Sequence, residues 1–313
     1  MSTTAAPGST AVSEQPISRQ PKSEQPGAGL LDVRPLAGAL GAELWAAGGG
    51  ALNVNALDDE HIASIREALC ACHVVVIRDQ HMEASDVARF GRRFGELERH
   101  PYLGGTSDEP EVVPVIKEPH ETVNFGGGWH SEMSFLECPP MATALYAVEV
   151  PSFGGDTLFA NQQAAYIGMS DTMKGFAESL SAVHSAARQY GRGGEGDRYS
   201  GRRSAMTVNV SDDAHEQLTH PVVRTHPETG AKALYVNRAF TEAISGMRRH
   251  ESKALLEMLW SHAVDEQFTC RVRWEPGTLT MWDNRSVQHY ALNDYHGQRR
   301  HMLRVTIAGD RPR

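Results

Sequence analysis

The sequence predicts a mainly β chain, a sandwich or jelly roll with helices flanking it. Three observations carry this. Beyond residue 100 the chain breaks into short apolar runs separated by Gly and Pro, the texture of many short strands. Val74-Val75-Val76-Ile77 is an unbroken β-branched run of strand length, which fits a strand covered on both faces. Strands and helices do not alternate regularly, and Gly126-Gly127-Gly128 is not followed by a helical pattern, so a doubly wound dinucleotide-binding fold is not supported.

The elements follow in order. Residues 1–28 are rich in Ser, Thr, Pro, Gln and Gly and nearly free of large apolar side chains. Such a stretch cannot bury enough surface to offset its ordering entropy, so a disordered tail is expected there and a single domain over 29–313. Asp58 is placed to cap a helix that carries Ile62, Ile65, Leu69 and Cys70 at helical spacing. The 74–77 strand comes next, then a helix through Ser85 and Phe90, with Gly95 expected as a left-handed stop. Strands are expected at 112–116, where Pro114 implies an edge, and at 141–150 and 155–160. Helical spacing returns over 162–180 and again over 251–264. Further strands are expected at 221–225, 233–236, 268–274, 278–282 and 303–308. Residues 188–204 are polar and rich in Gly and Arg. They read as a mobile loop longer than the ~12–15 residues beyond which loops are usually functional or disordered, and so as a lid.

The bulk numbers narrow the function. A formal net charge of −9 argues against a nucleic-acid partner. No apolar run reaches the ~20 residues of a membrane helix. The N-terminus has no basic start followed by an apolar core, so a cytoplasmic protein is expected. The cysteines, Cys70, Cys72, Cys138 and Cys270, are expected to be reduced, since Cys70-Ala71-Cys72 is poorly placed to pair. A Cys-x-Cys-His metal site at Cys70, Cys72 and His73 competes with that reading, but no nearby residue completes it.

The chemistry concentrates in Trp129-His130-Ser131-Glu132. On a strand, residues i and i+2 share a face, so His130 and Glu132 present an imidazole and a carboxylate together. That is two-thirds of a 2-His-1-carboxylate iron site. His289, just after the 278–282 strand, is the candidate third ligand. In a jelly roll, strands far apart in sequence lie side by side. Three protein ligands leave three positions on an octahedral iron for a chelating cosubstrate and dioxygen. A cosubstrate with a distant carboxylate also needs a cation. Arg300 and Arg304 share a strand face, and a guanidinium matches a carboxylate in planar, bidentate fashion. Thr157 offers a hydroxyl. Trp129 and Trp282 are expected to brace the metal strands from the core.

These stretches resemble the taurine/2-oxoglutarate dioxygenase (TauD/TfdA) family of non-haem iron enzymes over most of residues 30–310. The matching segments are Val76-Ile77-Arg78-Asp79-Gln80, Arg93-Phe94-Gly95-Glu96-Leu97, Trp129-His130-Ser131-Glu132, Gly154-Gly155-Asp156-Thr157-Leu158, His220-Pro221-Val222-Val223-Arg224-Thr225-His226-Pro227, and Trp282-Asp283-Asn284-Arg285 through His289-Tyr290. They occur in the family's order and near its spacing. The resemblance implies a double-stranded β-helix, the cupin-like form of the jelly roll. It implies Fe(II) held by His130, Glu132 and His289, with 2-oxoglutarate and dioxygen as cosubstrates. Thr157 and Arg300 match the positions that hold the far carboxylate of 2-oxoglutarate, and Arg304 matches an active-site arginine that meets an anionic substrate. His100 matches a sulfonate-contacting histidine, and Tyr190 and Phe240 match aromatic pocket positions. Family members are often dimers or tetramers, which leaves room for a homo-oligomer.

Two departures shape the expected substrate. The carboxylate ligand is usually Asp in this family and is Glu132 here. The acidic, amide-rich turn that precedes the Trp-His pair in taurine enzymes is Asn124-Phe125-Gly126-Gly127-Gly128 here, which trades polar partners for an aromatic ring and space. The expectation is a dioxygenase that hydroxylates an unactivated C–H of a small anionic molecule with a larger or more apolar body than taurine, breaking a C–S or C–O bond where the carbon carries one. Two alternatives stand beside it: desaturation or another non-hydroxylating oxidation on the same scaffold, and a non-catalytic jelly-roll binding protein.

Overall fold

The computed structural model describes residues 29–198, 205–206 and 208–313. The expected tail over 1–28 and part of the expected lid, 199–204, lie outside the described residues.

The chain opens with a hairpin, β1 (Leu31–Pro35) and β2 (Ala42–Ala46). Helix α1 (Asp59–Cys72) follows. Its N-terminus is fixed by Asp58, whose side chain accepts from the His61 backbone N–H, a cap worth about 1 kcal/mol. It ends at His73, held left-handed at φ 65°. Strand β3 (Val74–Ile77) is buried throughout. Helix α2 (Ala84–Arg92) ends at Arg93 with right-handed φ, so Gly95 is not the left-handed stop expected of it. A Cβ on Gly95 would lie 2.9 Å from Ile307 Cγ2, and close packing against the last strand is what that position requires. Strands β4 (Leu97–Glu98), β5 (Val113–Lys117), β6 (Ala142–Glu149) and β7 (Thr157–Asn161) come next.

The helical spacing over 162–180 resolves into two helices, α3 (Gln162–Ile167) and α4 (Asp171–Glu178), capped by Asn161 and Ser170. Strand β8 (Ser181–Ser185) leads into α5 (Ala187–Tyr190) and α6 (Glu195–Arg198). The segment read as an unstructured loop therefore carries two helical turns, a difference that arises because hydrogen bonds back to Ala186 and Ala187 for α5, and to Gly194 for α6, close turns too short to show periodicity. Strands β9 (Gln217–Pro221), β10 (Val223–Thr225), β11 (Lys232–Leu234) and β12 (Thr241–Ile244) precede α7 (Arg249–Ala263). The chain closes with β13 (Thr269–Val272), β14 (Leu279–Asp283), β15 (Val287–Ala291) and β16 (Arg300–Ile307).

Two sheets face each other in the jelly-roll manner. The large sheet runs β1-β2-β3-β14-β6-β16-β4, with β5 added on β16, and the small sheet runs β13-β7-β15. Strand β5 pairs with β16 alone among the described residues, so Pro114 sits where a missing N–H is tolerated. The alternation of side chains along the large sheet divides the core in two. Val75, Ile77, Met281, Tyr146 and Val305 face outward and pack on Ile65 and Leu69 of α1 and Val87 and Phe90 of α2. Val74, Val76, Leu145, Trp282 and Met302 face inward and meet Phe159, Cys270 and Val287 of the small sheet. The β-branched run over 74–77 is thus buried on both sides, as its composition demands.

Behind β14 lies a buried ionic cluster. Asp283 accepts from both Nε and Nη2 of Arg285, and the His226 Nε2–H donates to it at 2.9 Å. Burial would raise the Asp283 carboxyl, but these bonds outweigh it and hold the group well below the usual carboxylate range. Cys70 shares this neighbourhood, within 4.8 Å of His226 and Asp283, rather than joining Cys72 in a metal pair. The donors are already engaged: His226 Nδ1 accepts from the backbone of Glu228 and Thr229, and burial and the Glu228 carboxylate push the Cys70 thiol up to about 11. This is a structural network, and the four cysteines are unpaired.

Two buried histidines set a pH limit on stability. Burial lowers His73 from 6.5 to about 4 and His184 from 6.5 to about 3, the latter with help from His220. The unfolded chain protonates both near pH 6.5, so it binds more protons than the folded chain below that value. Stability should fall as pH drops from 6.5, by about 2 kcal/mol per histidine by pH 5. Urea unfolding of the parent and His184→Asn at pH 6.5 and 5.0 checks this. The variant should show the shallower pH dependence, and equal dependence in both would refute it.

Candidate active site

His130 and His289 are joined through their backbones. The His130 N–H donates to the His289 carbonyl at 3.1 Å and the His289 N–H donates to the His130 carbonyl at 2.9 Å, an isolated antiparallel bridge. Strand β15 continues from this bridge into its pairing with β7, opposite Phe159 at His289. His289 therefore sits inside a strand of the small sheet, not merely after β14. The two imidazoles lie with ring centroids 4.0 Å apart.

The expectation that His130 and Glu132 share the face of a strand needs correction. His130 pairs for one residue only, and Glu132 begins a turn that runs to Phe135. The turn is forced through Met133, which is fully buried at φ 42°. A non-glycine residue there costs roughly 1–3 kcal/mol and persists only where packing over-determines it. The turn brings the carboxylate back so that Glu132 Oε2 lies 3.8 Å from His289 Nε2. Donor atoms of His130, Glu132 and His289 all fall within 4.8 Å of one another.

The donor chemistry suits a metal ion. His130 Nδ1 is 2.8 Å from the Gly128 carbonyl, which can only accept, so Nδ1 carries the proton and Nε2 presents its lone pair. Burial holds both imidazoles below their ordinary value, His289 furthest, with the neighbouring His130 and Arg304 adding to the effect. The carboxylate is balanced by Arg304, whose Nη1 donates to both Glu132 oxygens at 3.4 and 3.5 Å. Trp282 is buried against His289, as expected of a brace. Trp129 is instead half-buried on the cavity wall against Tyr290.

Two cavities meet at this trio. The inner one lies between the sheets and is lined by Thr157 and Ala291 of the small sheet, Arg300 and Arg304 of β16, Phe125, His130 and His289. Thr157 accepts from Trp274 Nε1–H at 3.0 Å, which leaves its own hydroxyl hydrogen to donate. The Nε and Nη2 groups of Arg300 are buried without a partner among the described residues. Such orphaned donors mark a place for an anion.

The outer cavity is an open cleft of about 1080 Å³. Phe125, Trp129, His130, Glu132, Tyr190 and Phe240 form its deep end, and Leu256 and Trp260 of α7 its far wall. The 124–128 turn is laid along β15: Ala291 N–H donates to the Gly126 carbonyl at 3.1 Å, and Asn124 Nδ2 donates to the Ala291 carbonyl at 2.9 Å. Gly126 adopts φ 73°, which favours glycine. Phe125 lies with its ring centroid 5.7 Å from the Arg304 guanidinium.

His100 is one layer further back than expected. It lines neither cavity. Its Nδ1 accepts from the Tyr102 N–H, so its Nε2–H donates to the Tyr190 hydroxyl at 3.3 Å, and Tyr190 is the residue on the wall. Trp274 and the α7 wall were missed in the sequence, because Trp274 reaches Thr157 from 117 positions away and α7 shows only ordinary helical spacing. The partners of His184 and His220 also emerge only here: Ser134 for the first, the Leu136 carbonyl for the second. Both lie on the segment that carries Glu132.

Known proteins resemble this chain in sequence and in fold. Residues 32–306 match the family described as taurine catabolism dioxygenase TauD, TfdA family. An alpha-ketoglutarate-dependent sulfate ester dioxygenase of Pseudomonas putida is 34% identical over 293 residues, covering 90% of this chain and 91% of that protein. A taurine dioxygenase from Burkholderia xenovorans superposes with a TM-score of 0.73 at 32% identity, covering 90% of each chain. The structure of AAD-2 in complex with Mn(II) and N-oxalylglycine superposes with a TM-score of 0.72 at 26% identity, covering 90% of this chain and 98% of that one.

Removing one donor should abolish tight metal binding. Glu132→Ala and His289→Ala are each expected to weaken Co(II) binding by roughly 100-fold or more, followed anaerobically by the cobalt absorption bands. Variants that bind Co(II) as the parent does would exclude the trio as a metal site.

Proposed function

Because this chain belongs to the TauD, TfdA family and is a 2-oxoglutarate-dependent dioxygenase, we propose that His130, Glu132 and His289 hold Fe(II) and that the enzyme hydroxylates an unactivated C–H of a small organic anion. One observation carries the reading: the three donors stand where an inner cavity with an orphaned guanidinium opens into a large aromatic cleft. A dianionic cosubstrate suits the first space and a substrate body the second. Bound iron supplies oxidation of the C–H bond by dioxygen, coupled to conversion of 2-oxoglutarate to succinate and carbon dioxide.

The chain's own residues do the rest. The Gly128 carbonyl keeps His130 in the tautomer that offers Nε2. Arg304 neutralises the buried charge of Glu132 and turns its second nitrogen, Nη2, free of partners among the described residues, toward the interior. Arg300 and Thr157 receive the far carboxylate of 2-oxoglutarate from opposite sheets, with Trp274 fixing the threonine rotamer. Phe125, Tyr190 and Phe240 exclude water and orient the substrate body. His100 acts on the pocket through the Tyr190 hydroxyl, and α5 and α6 bound the cleft through Gln189, Tyr190 and Glu195.

The cleft is large for taurine, and at the 124–128 turn it presents Phe125 and glycines in place of the acidic, amide-rich turn of taurine enzymes. The substrate we infer is a sulfate ester, sulfonate or aryloxyalkanoate with an apolar body. Hydroxylation of the carbon bearing the ester or ether oxygen would release the fragment by C–O cleavage.

Anaerobic Fe(II) and 2-oxoglutarate should give the weak visible band of the chelate, and Glu132→Ala should not. Succinate release across alkyl sulfates, sulfonates, aryloxyalkanoates and amino acids then identifies the class. A parent without the band would sink the dioxygenase reading, and taurine as clearly the best substrate would sink the inference from Phe125 and Gly126. Arg300→Gln should raise the KM for 2-oxoglutarate about 100-fold, the scale for removing one partner of a buried charge pair.

A further inference from the structure

Lys117 is a buried lysine that the mechanism above does not use. It ends β5 directly opposite Arg300, its cross-strand partner on β16. Cross-strand partners project to the same face, and Val115, two residues earlier on β5, lines the inner cavity with Arg300 and Arg304. The lysine is 3% exposed, and its Nζ has no hydrogen-bond partner among the described residues. It lies 4.4 Å from the centroid of the Tyr295 ring. The acid whose field reaches it is Glu121, and that carboxylate already accepts from the backbone N–H groups of Glu118 and Ala205.

Arg300 and Lys117 thus rise from paired positions on adjacent strands as two buried cations, with no ion pair to either among the described residues. Burying a charge without a partner is costly, and burial depresses the proton affinity of both groups. An arrangement of this kind is stable when a ligand brings the missing negative charge. We propose that Lys117 is a second cation of the cosubstrate site, acting beside Arg300 on the far carboxylate of 2-oxoglutarate; this rests on the cosubstrate reading of the inner cavity. The far carboxylate would then meet the Arg300 guanidinium and the Thr157 hydroxyl, with the Lys117 ammonium supplying a second positive charge from behind the cavity wall. A purely structural role differs in kind. A lysine that only packs on Tyr295 would support the pocket wall for any 2-oxo acid alike.

The far carboxylate itself separates the two roles. Full-length parent, Lys117→Met and Lys117→Arg, loaded anaerobically with Fe(II), are titrated by calorimetry with 2-oxoglutarate and with 2-oxovalerate, which lacks the far carboxylate. Lys117→Met should bind 2-oxoglutarate about tenfold more weakly than the parent, the scale of one unit charge acting through a protein interior, and 2-oxovalerate equally well. Lys117→Arg should restore most of the 2-oxoglutarate affinity. Without ligand, the thermal midpoint of Lys117→Met should not fall, since an unpaired charge has been removed. Unchanged 2-oxoglutarate affinity in Lys117→Met, or equal weakening of both acids, overturns the proposal while leaving the cosubstrate reading intact. A parent that binds no 2-oxoglutarate overturns both.

Discussion

The site depends on the pair of backbone hydrogen bonds between His130 and His289. Side chains alone could not hold two imidazoles at this spacing, because each has rotameric freedom and neither attracts the other. The bridge fixes where the two side chains start, and the Gly128 carbonyl and Trp282 then hold the rings. The bridge also ties the start of the Glu132 turn to a strand that is itself fixed by the register of β15 on β7. Everything that needs accuracy near the metal position inherits it from there. The left-handed Met133 is a local cost of that arrangement, retained because the side chain is fully buried and the turn must return Glu132 toward the imidazoles.

Charge inside the sandwich follows a second constraint. Arg304 has its counter-charge in Glu132, whereas Arg300 and Lys117 make no ion pair among the described residues. The interior of a β-sandwich is a poor solvent for cations, so the imbalance is a property of a site built for anions. The ionic cluster of Asp283, Arg285, His226 and Glu228 shows the contrasting solution. It lies at the end of β14, with Asp283, Arg285 and His226 buried and Glu228 at the surface, and its carboxylates and donors are engaged. One cluster is complete and supports the fold, and the other leaves buried donors without a partner among the described residues.

The aromatic cleft and the inner cavity share Phe125, Gly126 and His130 in their walls. A change in the 124–128 turn therefore alters substrate space and access to the metal position together. The turn's hydrogen bonds to Ala291 couple it to the strand that carries His289.

The sequence by itself determined the pieces that depend on local pattern. The β-branched run at 74–77, the Asp58 cap, the edge position of Pro114 and the chemical types His130, Glu132, His289, Thr157 and Arg300 were all legible, because period and residue chemistry are properties of neighbours in the chain. Resemblance to a family added the order of those pieces. Only the tertiary structure decided the rest. That His130 pairs for a single residue and Glu132 turns back, that Gly95 serves packing, that His100 stands behind Tyr190, that Trp274 orients Thr157 and that Lys117 lies beside Arg300 are all consequences of sheet register. Register is set by pairing between strands scores of residues apart, and a shift by one residue would turn each of these side chains to the opposite face. No local pattern records that choice.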